Sequence, residues 1–159
     1  MMKLTGKMLC IAGLAAAVAG CATPPRHTVC SVEATAASQS ASGLSDAVAT
    51  GVRGDLERLG YHVFTGKCGR CGNAVSVNIA IDRKEAARLD VWVAYDATAS
   101  VKAVVGRDGR ILGEKTFSAK GVRGRTEKEA EAGIRKSLVE QINAWLPSVL
   151  PPVVITSDI

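Results

Sequence analysis

The stretch from Asp90 to Val105 constrains the fold of this chain more than any other. Val91, Val93, Tyr95, Ala97, Ala99, Val101, Ala103 and Val105 share one parity, while Asp90, Trp92, Asp96, Thr98, Ser100 and Lys102 share the other. Successive side chains of a strand point to opposite faces, so an alternation this long is a long strand with one face buried and one wet. The small residues in its middle leave room for a bend. Arg107-Asp108-Gly109-Arg110 follows and signals a hairpin. In the partner strand, Ile111, Gly113, Phe117 and Ala119 lie on one parity and Leu112, Glu114, Thr116 and Ser118 on the other.

The register of that hairpin follows from its charges. A two-residue Asp108-Gly109 loop sets Lys102 opposite Lys115 and Ser100 opposite Phe117. A three-residue loop with Gly109 in a left-handed bulge sets Lys102 opposite Glu114, Ser100 opposite Thr116 and Ala99 opposite Phe117. Opposite charges across a ladder help and like charges hurt, by a few tenths to about 1 kcal/mol. The second register also matches the buried faces, and it is the one expected.

Two helices complete the pattern. Leu44, Val48, Val52, Leu56 and Leu59 form one stripe of an amphipathic helix over residues 44–59, with Asp46 in its first turn and Gly60 placed for a left-handed C-terminal cap. Thr126-Glu127-Lys128-Glu129 is a capping-box pattern, followed by the stripe Ala130, Ile134, Leu138, Ile142 and Trp145, and Pro147 is expected to end the helix. Tyr61 to Thr65 reads as a short strand, Gly66 to Asn73 as a glycine-dense turn, Ala74 to Ile81 as a second strand, and Asp82 to Asp90 as a charged connection. The expected fold class is α+β: two layers, an antiparallel sheet of about four strands with two helices packed on one face.

The N-terminal part divides differently. Lys3 and Lys7 precede an apolar run from Met8 to Ala19, too short for a stable membrane span, and small residues follow; this is the pattern of a secretory signal peptide over residues 1–20. Residues 22–43 hold Pro24-Pro25 and a Ser, Ala and Thr run with little large apolar surface, and read as a flexible tether. The domain is therefore expected over residues 44–147, with 148–159 an extended, proline-containing tail. At 47% hydrophobic and 22% charged residues the chain is not disordered as a whole. The formal net charge of +5 overstates its basicity, because Lys3 and Lys7 leave with the leader, and a nucleic-acid role is not expected.

Val18-Ala19-Gly20-Cys21 resembles a bacterial lipobox. The resemblance implies that Cys21 is lipidated, that the leader is cut before it, and that several acyl chains hold the protein on a membrane without a spanning helix. One chain alone anchors only marginally. By the same resemblance, Ala22 allows transfer to the outer membrane, with the domain facing the periplasm.

Cys68-Gly69-Arg70-Cys71-Gly72 admits three readings. A thioredoxin-like pair belongs where a strand feeds a helix, and here both flanks read as strand. A zinc site needs four ligands, and the remaining candidates, His62, His27 and Cys30, form no second spaced pair. A disulfide in an oxidising compartment, between Cys68 and Cys71 or tying Cys30 to the domain, is the favoured reading. No metal and no cofactor is expected. No Ser-His-Asp set is evident, and two histidines offer little acid–base chemistry. For a partner surface the candidates are Trp92, on the polar parity of its strand, and the basic residues Lys102, Arg107, Arg110 and Lys115. That basic run equally suits the solvated face of a hairpin.

With its leader, the chain resembles the small outer-membrane lipoproteins of diderm bacteria. The matching residues are Leu59-Gly60-Tyr61-His62-Val63, Arg107-Asp108-Gly109-Arg110 and the helix from Glu129 to Trp145. The Cys68–Cys71 turn is not part of that pattern. The resemblance implies a non-catalytic accessory or structural subunit of an envelope transport, secretion or assembly complex, with an envelope protein as partner. The alternatives are a binding module for an anionic envelope ligand such as lipopolysaccharide, or a conjugation-system lipoprotein.

Overall fold

Residues 28–64 and 74–152 are described in a computed structural model. Five strands and two long helices succeed one another: β1 (Thr28–Ala36), α1 (Ser42–Arg58), β2 (His62–Val63), β3 (Val75–Leu89), β4 (Trp92–Val105), β5 (Ile111–Gly124) and α2 (Glu127–Val149). They build one sheet in the order β2-β1-β3-β4-β5. Both helices lie on one face of it, α1 over β1 and α2 over β4 and β5.

The wholly antiparallel sheet of about four strands expected from the sequence is corrected here. The sheet is mixed, because β1 runs parallel to both β2 and β3, while β3, β4 and β5 are antiparallel neighbours. The cause is the N-terminal segment. Thr28 to Ala36, expected within a tether, is a strand between β2 and β3. From it the chain crosses through α1 and returns as β2, and a helical crossover brings a strand back parallel. Val32 is buried and Ala34 and Ala36 pack against the core, so inward residues this small suffice beneath α1. Ser, Ala and Thr between residues 35 and 42 end the strand and enter α1 through a 3-10 turn at Gln39–Ala41.

The β4–β5 ladder pairs Lys102 with Glu114, Ser100 with Thr116 and Ala99 with Phe117, the expected register. The loop differs. Val105 N–H donates to Arg110 O at 2.9 Å, so four residues rather than three make the turn. Gly109 is left-handed as expected, at φ 68°, and the ladder shifts between Ala103 and Val104 to restore the register. The apolar parity of β4 is buried from Val93 to Val105. The segment from Asp82 to Leu89 is not a connection: β3 continues through it, paired with β4 as far as Leu89 opposite Trp92. Its charges reflect absent cover, not absent pairing.

α1 ends in a Schellman cap. Gly60, at φ 91°, donates to Glu57 O and Tyr61 donates to Leu56 O. At the start of α2, Thr126 Oγ1 accepts from Glu129 N–H at 3.2 Å. The Glu129 carboxylate reaches back to Arg125 N–H at 2.8 Å, one residue earlier than in the usual reciprocal box. Ala130, Ile134, Leu138 and Ile142 are fully buried as the stripe requires, but Leu146 rather than Trp145 takes its last place. Pro147 does not stop the helix. A proline in the last turn forfeits one backbone bond, and the burial of Leu146 and Leu150 with packing of Val149 over Gly113 holds the turn to Val149. The core lies between the sheet and the helices, centred on Val52, Leu56, Val77, Ile81, Val101 and Leu138.

Candidate interaction surface

β3 and β4 run on past the helices and end in a free hairpin tip. Every residue from Lys84 to Val91 is exposed. Leu89 and Trp92 close the ladder, with Asp90 and Val91 in the turn. Leu89 is 57% and Val91 72% exposed. Trp92 is half-buried, its ring covered by the Arg123 guanidinium at 4.7 Å from β5. Scattered apolar residues on a surface need no explanation, but three adjoining ones at the end of a projecting ribbon form a patch.

The base of the tip is rigidly held. Arg83, on the core parity of β3, is buried to 7% exposure. Its guanidinium pairs with Glu127 at 2.8 Å and with Glu131, both in the first turns of α2, and lies 4.5 Å from the centre of the Tyr95 ring. Arg83 Nε is buried without a hydrogen-bond partner. Nearer the tip, Arg88 pairs with Glu85 at 2.6 Å and donates to Tyr95 Oη at 3.4 Å. The Arg88 hydrogen bond lowers the Glu85 carboxyl pKa, and burial, reinforced by Glu127, raises that of the Tyr95 phenol. The two arginines thus fix the ribbon to α2 and to β4, and leave the apolar tip free.

The remaining candidates do not converge on Trp92. Lys102 is on the face away from the helices, 4.0 Å from Glu114. At ~3.3 Å rise per residue it is about 33 Å along β4 from Trp92. Arg107 and Arg110 sit on the β4–β5 turn, at the opposite end of the sheet. Lys115 lies on the helix side of β5, its Nζ 5.4 Å over the Phe117 ring. The expected basic partner surface is therefore split over two faces and is distant from the tryptophan. Cys21, Cys68 and Cys71 lie outside the described residues, and Cys30 falls in β1.

An open groove of about 880 Å³ runs between α1 and α2, where Gly51 meets Val139. Its rim alternates in sign, with Asp46, Asp55 and Glu140 against Arg135 and Lys136. Among the described residues there is no group of three or more His, Cys, Asp or Glu placed to hold a metal ion. No helix among them is long and apolar enough to cross a membrane.

Alternation places Val91 on the buried parity and the charged run takes in Leu89, whereas the structure exposes both at the tip beside Trp92. The signal was present: two large apolar residues flank Asp90 at the end of a charged run, beside an exposed-parity tryptophan.

No family model and no curated protein matches the sequence. Solved structures do share the fold. A neuraminyllactose-binding hemagglutinin homolog from Helicobacter pylori superposes at a TM-score of 0.54 with 8% identity, over 75% of this chain and 81% of that one. A minor lipoprotein from Acinetobacter baumannii gives 0.52 with 12% identity, over 81% and 96%. The PelC dodecamer from Paraburkholderia phytofirmans gives 0.50 with 11% identity, over 73% and 83%. At these identities the likeness is one of fold, and the fold is one that a bacterial lipoprotein uses.

Proposed function

We propose that this chain is a lipid-anchored, non-catalytic accessory subunit of an envelope complex, and that the β3–β4 hairpin tip is where it meets its protein partner. The observation that carries this reading is the apolar tip of Leu89, Val91 and Trp92, at the opposite end of the sheet from the strand end where the tethered N-terminus enters. A domain anchored at one pole and apolar at the other suits a linker between a membrane and a second protein. The lipobox-like Val18-Ala19-Gly20-Cys21 supports the anchor, and Ala22 supports the outer membrane as its place, with the domain in the periplasm. The shared fold with the Acinetobacter lipoprotein agrees with a lipid anchor.

An anionic-ligand module has less support, since Lys102, Arg107, Arg110 and Lys115 do not form one patch. Two measurements test the proposal. Cys21→Ser abolishes labelling by a fatty-acid probe and leaves an uncleaved precursor; equal labelling of the variant defeats the anchor. Leu89→Ser with Val91→Ser removes the stoichiometric partner recovered from detergent-solubilised membranes, without lowering the melting temperature. Recovery of the same partner in the same amount defeats the assignment of the tip.

A further inference from the structure

The large exposed apolar residues of the described chain are Leu59, Phe64, Leu89, Val91 and Ile111. They fall at the two ends of the sheet. Leu89 and Val91 form the hairpin tip. The other three surround the opposite end, as the pairing shows. Thr28, the first described residue, pairs with His62, and Val29 pairs with Val75. Val75 pairs with Val105, and Val104 with Ile111. Gly106 N–H closes this end by donating to Ala74 O at 2.9 Å. Leu59 caps α1 just before His62, and Phe64 follows β2.

We propose that this second pole docks on the bilayer surface, with Leu59, Phe64 and Ile111 entering the interfacial region and Arg107 and Arg110 beside the lipid phosphates. The inference rests on the lipid anchor at Cys21. The chain from Cys21 to Thr28, fully extended at ~3.3–3.6 Å per residue, reaches about 25 Å. It therefore keeps this pole near the membrane wherever the domain turns. Leu59 is 48%, Phe64 46% and Ile111 50% exposed, on the one end of the sheet that the tether brings to lipid. Phe64 follows the edge strand β2 and Ile111 opens the opposite edge strand β5, with β1 between them, so the two contacts bracket the anchor. Strands lie ~4.8 Å apart, which separates those contacts by about 19 Å. Two separated contacts and a tether between them fix orientation, which a tether alone does not. Arg107 and Arg110 are both exposed in the turn beside Ile111; Asp108 offsets Arg110, at 4.0 Å. Docked this way, the long axis of β4 stands off the bilayer and presents the hairpin tip about 45 Å away, at ~3.3 Å rise per residue.

Neutron reflectometry of the full lipidated chain on a supported bilayer of phosphatidylethanolamine and phosphatidylglycerol tests this. The expected profile is a protein layer in contact with the headgroups, about as thick as β4 is long. In the variant carrying Leu59→Ser, Phe64→Ser and Ile111→Ser, which melts as the wild type does, a water-filled gap opens between headgroups and protein, bounded by the tether's reach of about 25 Å. Arg107→Glu with Arg110→Glu opens the gap on the same bilayer. A gap under the wild-type protein, or no gap under the triple variant, overturns docking and leaves the anchor standing. A layer much thinner than β4 means the domain lies flat and also overturns it. A wild-type chain that deposits no layer overturns the anchor itself, and docking with it.

Discussion

Arg83 is the buried charge among the described residues, and its surroundings predict an asymmetry. Its side chain is 5% exposed, whereas its partners Glu127 and Glu131 are 53% and 33% exposed. Removing the arginine leaves two carboxylates that water already reaches. Removing the carboxylates leaves a guanidinium in the protein with only the Tyr95 ring beneath it. An uncompensated buried charge costs about 3–5 kcal/mol, while replacing a buried ion by an apolar side chain of similar volume is often close to neutral. Arg83→Met, which keeps the stem and loses a cation–π contact of roughly 1 kcal/mol, is expected to cost about 1 kcal/mol. Glu127→Ala with Glu131→Ala is expected to cost about 3–5 kcal/mol, of which up to roughly 1 kcal/mol per residue is lost interaction with the α2 dipole. For a domain of this size that is a drop of more than ~10 °C in melting temperature. The three changes together separate the contributions, because the buried charge is then gone and only the dipole loss and the lost cation–π contact remain. Urea unfolding at constant m-value is the assay. If Arg83→Met costs as much as the paired glutamate changes, or if the triple variant is no more stable than the double, the asymmetry is refuted and the packing of the arginine stem dominates.

Three further outcomes follow from the core and its margins. Leu138→Ala, at a fully buried position in the centre of the α2 stripe, is expected to cost about 2–5 kcal/mol in denaturant unfolding. Gly124→Ala places a Cβ against Ala130 N and 2.7 Å from Thr126 O, backbone atoms of the first turn of α2 that no rotamer change can move. Calorimetry should show a loss of at least about 1–3 kcal/mol. Burial raises the phenol pKa of Tyr61, whose Oη donates to Pro151 O at 2.8 Å. Folding favours the neutral form, so this contribution is complete below the unfolded tyrosine value of ~10 and is lost as pH rises through the higher folded value. Tyr61→Phe should flatten that part of the alkaline unfolding curve, followed by circular dichroism against pH.

Local pattern alone determined the long strand, the hairpin register, the cap at Gly60 and the stripe from Ala130 to Ile142. Each depends on residues close in sequence: alternation along β4, a charge opposite a charge across one turn, a glycine after the last helical turn. Tertiary structure decided the rest. β1 carries small inward residues, and only α1 above it and paired strands on both sides make such a segment a buried strand. Its parallel direction follows from where the crossover through α1 lands, which no periodicity encodes. Pro147 inside α2 is held by Leu146 and Leu150 in the core, a contribution that propensity omits. The candidate sites divide in the same way. Trp92 was legible because it breaks the polar parity of its strand. Leu89, Val91 and Ile111 became an apolar tip and an apolar rim only because the hairpins end beyond the helix layer. Composition fixes which residues prefer to leave water, and the length of each strand relative to the helices that cover it decides which of them remain there.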